Sequence, residues 1–507
     1  MKVFMTEKQK PGIAQALVIL MIIVMLVYFT VRAIFLYFAE YTQTEKVFAI
    51  LFFISEVYVM FHAFGYFGGI FRLNQQKMSE PKKVELTEFP FVAILIPARH
   101  EPKDVLENTV ISCYNLSYRN KIIYILDDST EQKYKDEALQ IAERFGCKIF
   151  SRQNRHGAKA GIIDDCLKQL TQKYIAIFDV DQNPIGNFLE DTISILEADP
   201  KLAFVQSPQY YSNLNESRIA FAADMQQAVF YEYVCEAKSS ADAMICCGTN
   251  VVLRREAIED VGGFDETTVT EDFATSFKFH ANGWKTLYYN HVNTFGKGPE
   301  DLASYFNQQN RWAHGNVSVL KKIMANMFRS PRLLKPAQWW EYFITGSYYL
   351  VGWAYLFLIF CPIIYVFFTL PSFFMHPAVY GLTYLPYLLL ASALFNSQMK
   401  NRNYGYGHVF RGQLLFFLSL PSYLLGSGAA LLGIRKRFKV TKKLGSHRVS
   451  YLSLWPQLSI WLINLLAIVW GLNRFVYDLS PAVFVNVLWI TYHFILFSSL
   501  FYFNNVD

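Results

Sequence analysis

"YIAIFDVDQNP", residues 174–184, decides the fold. Its first half reads as a buried strand, and the strand stops abruptly at two aspartates one residue apart. Side chains alternate along an extended chain, so Asp179 and Asp181 can point the same way off the strand end. Two carboxylates at that spacing repel each other unless a cation or a donor sits between them. A turn or capping pair is the plain alternative for these two residues taken alone.

The same grammar continues on both sides. From about 88 to 210, strands alternate with helices: "FVAILIPA", a helix from Val105, "KIIYILDDS", a helix through "KDEALQIAERFG", "KIFSR", a helix from Lys159, then "YIAIFDVD", "FLEDTISILEA" and "AFVQSPQ". Alternation at these lengths predicts an α/β, Rossmann-like fold with a mostly parallel sheet covered by helices on both faces. Such sheets bind ligands at the carboxyl ends of their strands. Pro97 to Glu101, Asp127 with Asp128, and Asp179 with Asp181 all fall there, so three strand ends deliver polar groups to one rim. No GxGxxG follows the first strand and no Walker lysine motif is present, which disfavours a hydride-transfer enzyme and an ATPase.

The rest of the chain is apolar. Of 507 residues, 53% are hydrophobic and 17% aromatic. Runs at 13–31 and 47–71 are long enough to span a bilayer, and more follow from about 346 at roughly 346–369, 377–395, 413–434, 457–474 and 482–503. The first run lacks a small-residue cleavage site and reads as an anchor. The expected organisation is two transmembrane helices in 1–72, a cytosolic block at 73–335, and interfacial helices with about four transmembrane helices at 336–507. Seven cysteines without metal or disulfide spacing read as reduced thiols. The net charge of +6 sits partly in short runs beside apolar segments, as positive-inside anchoring requires. No basic stripe with interleaved aromatics suggests nucleic acid.

Acidic residues after parallel strands suit a nucleotide-sugar donor. One carboxylate can hold the base or ribose, and two can hold Mg²⁺ or Mn²⁺ against a diphosphate. "TVTEDF" (268–273) either caps the helix that follows or presents Asp272 as a general base toward an acceptor hydroxyl. In "FNQQNRWAHG" (306–315), helical spacing puts Gln308, Arg311 and Trp312 on one face: a cation for a diphosphate and a flat surface for a sugar ring. A membrane-interface tryptophan beside an arginine explains the spacing equally well.

"LDDS", "DVD", "TED" and "QQNRW", in this order, resemble the D, DxD, TED and QxxRW signatures of processive family 2 glycosyltransferases, cellulose synthase and related β-glucan synthases (curdlan, mixed-linkage) in particular. The resemblance extends over nearly the whole chain through "HGAKAG", "VQSPQ", "CCGTNVVLRREAIEDVGGF" and "FKVTKK". It implies a GT-A-type domain between transmembrane helices. Glu101, Asp127 or Asp128, and Lys159 would hold UDP, Asp179 and Asp181 would serve UDP and metal, and Gln308 and Arg311 would complete the diphosphate site. Asp272 would be the base; Cys247, Gly248 and Trp312 would touch the acceptor. A gating loop at 435–450 would close over UDP through Phe438, Val440, Thr441 and Lys443. Ser129 and Ser207 depart mildly from the family's usual glycine and threonine. After Asp507 there is no room for a cyclic-dinucleotide-binding domain, so control by that messenger is not expected.

The implied function is membrane-integrated, inverting synthesis of a β-glucan from UDP-glucose, with export of the growing chain through the lipid bilayer of the plasma membrane. The linkage, β-1,4, β-1,3 or mixed, stays open. The alternatives are a non-processive family 2 enzyme with a lipid acceptor, or a synthase using UDP-GlcNAc or UDP-glucuronate. Cytosolic UDP-sugar requires an even number of crossings before "FKVTKK", so one apolar run must lie in the membrane plane. The run 413–434 is the candidate, flanked by basic residues and interrupted by Pro421, Gly426 and Gly428. That leaves six spans and cytosolic termini. "PAQWWEYF" (336–343) reads as an interfacial segment. Glu56 and His62, inside the second span, are expected to face protein or water.

Overall fold

The computed structural model describes residues 11–75, 80–434 and 447–505. Phe438, Val440, Thr441 and Lys443 lie outside the described residues.

The catalytic-type block is built on strands whose sequences are apolar on both sides, as strands buried on both faces must be. β1 (Val92–Ala98), β2 (Lys121–Asp127), β3 (Lys148–Ser151) and β4 (Tyr174–Ile177) run parallel, with β1 central to the group. β5 (Gln182–Pro184) leaves for a small second sheet, and β6 (Leu202–Gln206) returns to the large one. β7 (Tyr210–Tyr211), β8 (Val251–Arg254), β9 (Lys285–Tyr288) and β10 (Thr294–Gly296) complete the two sheets, in the orders β3-β2-β1-β4-β8-β6-β9 and β5-β10-β7. β8 is antiparallel to both β4 and β6. With this one strand reversed, the seven-stranded sheet is mostly parallel, as expected, and the reversal shapes one rim. Ala98 pairs with Asp127 and Ile177 with Val251, so the ends of β1, β2 and β4 and the beginning of β8 share one rim.

The strand residues alternate between two cores. Val92, Ile94 and Ile96 face α3 (Lys103–Tyr114), α4 (Gln132–Phe145) and α6 (Phe188–Ala198). Ala93 and Leu95 face α5 (Ala158–Leu167), α9 (Arg255–Asp260) and α10 (Glu271–Ala281). Between these lie α7 (Arg218–Val229), a π-turn at Phe230–Cys235, and α8 (Glu236–Ser240). α11 (Leu302–Arg329) starts where the Asp301 carboxylate accepts the Ser304 amide at 2.7 Å, satisfying one orphan donor of its first turn.

The remaining helices are α1 (Pro11–Phe38), α2 (Gln43–Gln75), α12 (Pro336–Ser347), α13 (Val351–Phe368), α14 (Pro377–Asn401), α15 (Tyr406–Leu431), α16 (Trp455–Asp478) and α17 (Pro481–Phe503). Among the described residues, seven helices are long and apolar enough to cross a membrane, counting α12 and α13 as one. The expected interruption at Pro421, Gly426 and Gly428 is absent: α15 runs through all three. Gly426 instead lets α15 press onto α11, since a Cβ there would lie 2.5 Å from the Asn310 carbonyl oxygen. α15 packs most extensively on α11 and α7, elements of the catalytic block. α12, expected to be interfacial, packs on the central block. Trp339 and Tyr342 pack against Phe277 and Phe273 of α10, while Glu341 pairs with Arg72 of α2 and with Lys238 of α8.

Candidate active site

Asp127 and Asp128, adjacent in sequence, have separate tasks. The Asp128 carboxylate accepts two parallel bonds from Arg152, both 3.1 Å, and lies 3.3 Å from Arg155. Arg152 also donates to the Ala158 carbonyl at 3.0 Å, which ties this pair to the start of α5. Asp127 closes its own turn, accepting the Ser129 amide at 2.9 Å. Ser129 in turn accepts the His100 amide at 3.0 Å, joining the β2 rim to the segment after β1 that carries Glu101.

At the second residue of α5, Lys159 ion-pairs with Asp179 and donates to the Gly248 carbonyl at 2.7 Å. Burial alone would lower the Lys159 ammonium, but Asp179, Glu271 and Asp272 outweigh it and hold the group above its ordinary value. The Asp179 side chain keeps 41% exposure, so it is open to a ligand. Its backbone amide donates to Thr249 Oγ1 at 2.9 Å, locking the DxD turn to the loop 246–250 that leads into β8. Gly248 has φ +80°, a conformation favouring glycine, and a Cβ there would come within 3.1 Å of Asp272 Oδ2. Asp272 therefore stands directly over the Gly248 backbone. Burial, then the adjacent Glu271 carboxylate, pushes Asp272 up to about 7. A hydrogen bond to Cys235 and burial hold the Cys247 thiol well above its ordinary range.

α11 brings the last group. Gly315 is one turn past Arg311, and a Cβ there would collide with Thr270, so the TED segment lies flat against α11. This contact places Arg311 close enough to lower the proton affinity of both Glu271 and Asp272. Gln308 and Trp312 face a cavity of about 1460 Å³ whose wall also includes Cys247 and Asp272. Lys159 and Asp179 stand outside that wall. Asp272 thus sits between a charged rim and a long cavity. The far end of the cavity is lined by Glu45, in the first turn of α2, and by Phe374, in the loop after α13.

Two further residues position this site. Gln206, fully buried, donates to the carbonyls of Ser207 and Thr249, both at 2.8 Å, and accepts the Cys247 amide at 2.9 Å. Asn250, at φ +55°, donates to Gln182 at 3.1 Å. Both fall inside the stretches "VQSPQ" and "CCGTNVVLRREAIEDVGGF", whose sequence marks the region but not the side chains that tie it together; Arg152, in a basic loop, reads as an ordinary surface residue until its tertiary pairing is seen. For a metal, no group of three or more His, Cys, Asp or Glu among the described residues forms a cage. Two carboxylates at 179 and 181 suit a hard divalent cation that takes its remaining ligands from phosphate oxygens and water.

The sequence profile described as Glycosyl transferase family group 2 matches residues 174–394. Residues 174–394 thus resemble a family 2 glycosyltransferase domain. Among curated proteins, the chain is 28% identical over 440 residues to the UDP-forming cellulose synthase catalytic subunit of Pseudomonas fluorescens, covering 82% of itself and 57% of that protein. It is 28% identical over 287 residues to the cellulose synthase 1 catalytic subunit of Komagataeibacter xylinus, covering 55% of itself and 38% of that protein. It thus spans less than two thirds of the length of these relatives. Among solved structures, the mannosyltransferase PcManGT from Pyrobaculum calidifontis, in complex with GDP-Man and Mn²⁺, superimposes with a TM-score of 0.54 at 16% identity, over 76% of this chain and all of that one. The likeness is one of fold: a GT-A-like mixed sheet, here flanked at both ends by long apolar helices.

Proposed function

We propose that this glycosyltransferase is an inverting, metal-dependent, processive β-glucan synthase that takes glucose from UDP-glucose and passes the product across the plasma membrane. The observation that carries the reading is the position of Asp272, at the junction of the charged rim and the cavity. A donor held on the rim and an acceptor chain held in the cavity would meet at that carboxylate.

In this reading Asp127 and Glu101 hold the nucleoside, while Lys159, Arg311 and Gln308 surround the diphosphate. Asp179 and Asp181 hold Mg²⁺ or Mn²⁺, whose Lewis acidity stabilises the leaving diphosphate. Asp272 takes the proton from an acceptor hydroxyl lying over Gly248, Cys247 and Trp312. The freed oxygen attacks the anomeric carbon from the face opposite UDP, the carbon–phosphate oxygen bond breaks, and UDP departs with the electron pair. One displacement inverts the linkage and needs no covalent nucleophile. Trp312 offers an apolar face to the terminal sugar ring, which keeps the chain in place for the next transfer.

The cavity supports a neutral product. Its charged lining residues are Glu45, Glu56, Lys238, Asp272 and Glu341, and the single cation among them is paired with Glu341. A uronate polymer would meet carboxylates there without free cations. UDP-sugar in the cytosol puts the block containing β1–β10 on that side. α1, α2, α13, α14, α16 and α17 then serve as six spans, with α15 lying against the block that it packs on. The test is purified protein in lipid, supplied with Mg²⁺ or Mn²⁺ and, separately, UDP-glucose, UDP-GlcNAc and UDP-glucuronate, with linkage-specific glucanase digestion of the product. Polymer from UDP-glucose alone is expected; a labelled lipid without polymer would contradict it.

A further inference from the structure

The turn between α14 and α15 reaches back into the catalytic block. α14 ends as the chain reverses at Asn403, φ +68°, and the Tyr404 amide closes onto the Met399 carbonyl at 3.0 Å. The reversal projects Arg402 onto the π-turn Phe230–Cys235 and the start of α8. Its guanidinium donates to Glu232 and to Glu236, both at 2.9 Å, and lies 5.3 Å from the Tyr233 ring centre. The Tyr233 hydroxyl donates to the Gln398 carbonyl at 2.6 Å, a second tie to α14. Asn290 donates to the same two carboxylates, at 3.1 and 2.6 Å, and Tyr210 donates to Glu232. The side chains of Glu232 and Glu236 are 11% and 13% exposed, so their mutual repulsion is little screened, and the shared cation holds them together.

Another face of the same turn touches the site. Tyr231 and Cys235 each precede one of these glutamates, which places them about 100° further round the helix. The Tyr231 hydroxyl donates to the Cys247 sulfur, and the Cys247 thiol is hydrogen-bonded to Cys235. Tyr231 also stacks on Tyr288 of β9 at 6.3 Å, and it lines the cavity together with Cys247. A π-turn inserts an extra residue into a helix, and such insertions are frequent at functional sites. A tie whose only task was to fasten the block to the membrane helices could grip α7 or α8 anywhere. This one grips the turn whose other face holds Cys247.

We infer that Arg402 is a positioning residue for sugar transfer: by bridging Glu232 and Glu236 it fixes the rotation of the π-turn, and with it the Cys247 wall that presents the acceptor hydroxyl to Asp272. The inference rests on the synthase reading above. Without the bridge the two carboxylates part, the turn rotates and the acceptor hydroxyl leaves its place. Lys159 and Asp179 are held by partners outside this turn, so the nucleotide stays bound. Water is then the competing nucleophile. It gives a proton to Asp272, its oxygen bonds the anomeric carbon, the bond to UDP breaks with its electron pair leaving on UDP, and free glucose is the product.

The test compares wild-type protein, Arg402→Met, Arg402→Lys and the neutralised Arg402→Met/Glu232→Gln/Glu236→Gln variant, each full-length in lipid nanodiscs with UDP-glucose and Mg²⁺. The readouts are UDP affinity, unfolding temperature, UDP release and the ratio of glucose in polymer to free glucose. In Arg402→Met that ratio is expected to fall at least threefold with UDP affinity changed less than twofold. Arg402→Lys, which keeps a cation between the carboxylates, should recover at least half of the loss. The neutralised variant strands no charge yet lacks the bridge, so it should show the same fall even if Arg402→Met folds poorly. An unchanged ratio in Arg402→Met and in the neutralised variant overturns the inference and leaves the synthase reading standing. UDP affinity, UDP release and unfolding temperature falling together at an unchanged ratio would mean a structural role and also overturn it. Wild-type protein that makes no polymer at all removes the synthase reading, and this inference with it.

Discussion

Asp272 lies among groups that pull its proton in opposite directions. Burial and Glu271 raise its proton affinity, while the Phe273 amide, at 2.8 Å, and the cations Lys159 and Arg311 oppose them, leaving it at about 7. A base works only when deprotonated. The rate of sugar transfer is therefore expected to be level above pH 7 and to fall about tenfold per unit below it, measured as UDP release across a pH series. A carboxylate at its ordinary value would hold the plateau down to about pH 4. Asp272→Asn is expected to lower turnover by about 10²- to 10⁴-fold while leaving UDP affinity within a few-fold. Arg152 makes a different prediction. Its side chain is 5% exposed and that of Asp128 8%, so Arg152→Met removes both hydrogen bonds to a buried carboxylate and leaves it only the ion pair with Arg155, at a cost of about 1.5–3 kcal/mol. A thermal shift assay should show the loss, and UDP binding should weaken with it, because the start of α5 and hence Lys159 hang on the same arginine.

The helices and parallel strands between β1 and β6 were legible because their patterns are local: apolar runs, acidic first turns and strand-end carboxylates. The direction of β8 was not, since "VVLR" reads the same whether its neighbour runs parallel or antiparallel, yet that direction carries Cys247 and Gly248 to the rim. β5, β7 and β10, two or three residues each, fall below any periodic signal. Pro421 and the nearby glycines read as a break, whereas in the folded chain the glycines are contact points. That difference is testable. Gly426→Leu would force side-chain atoms into the Asn310 carbonyl and Ala313, and overpacking of this kind costs about 1–3 kcal/mol. Since α11 carries Gln308, Arg311 and Trp312, the variant should lose activity beyond its loss in unfolding temperature. Gly428→Ala, which faces the Trp353 ring at 3.2 Å, should cost less in both.

Across the molecule, the layout holds a charged rim apart from a long cavity, with Asp272 between them; in the proposed function the rim would take nucleotide and metal and the cavity the glycan. With Asp179 and Asp181 as the proposed cation ligands, removing divalent metal with a chelator is expected to abolish UDP release, and adding back Mg²⁺ or Mn²⁺ to restore it, while the fold measured by thermal unfolding stays unchanged. The central claim is that synthesis and passage through the membrane are one process. The direct measurement uses sealed proteoliposomes with the catalytic block outside, given external UDP-glucose and then a glucanase matched to the product's linkage, before and after detergent. Polymer that resists the enzyme until detergent opens the vesicles is the predicted result. Polymer digested completely while the vesicles are intact, or label found only in lipid, would contradict it.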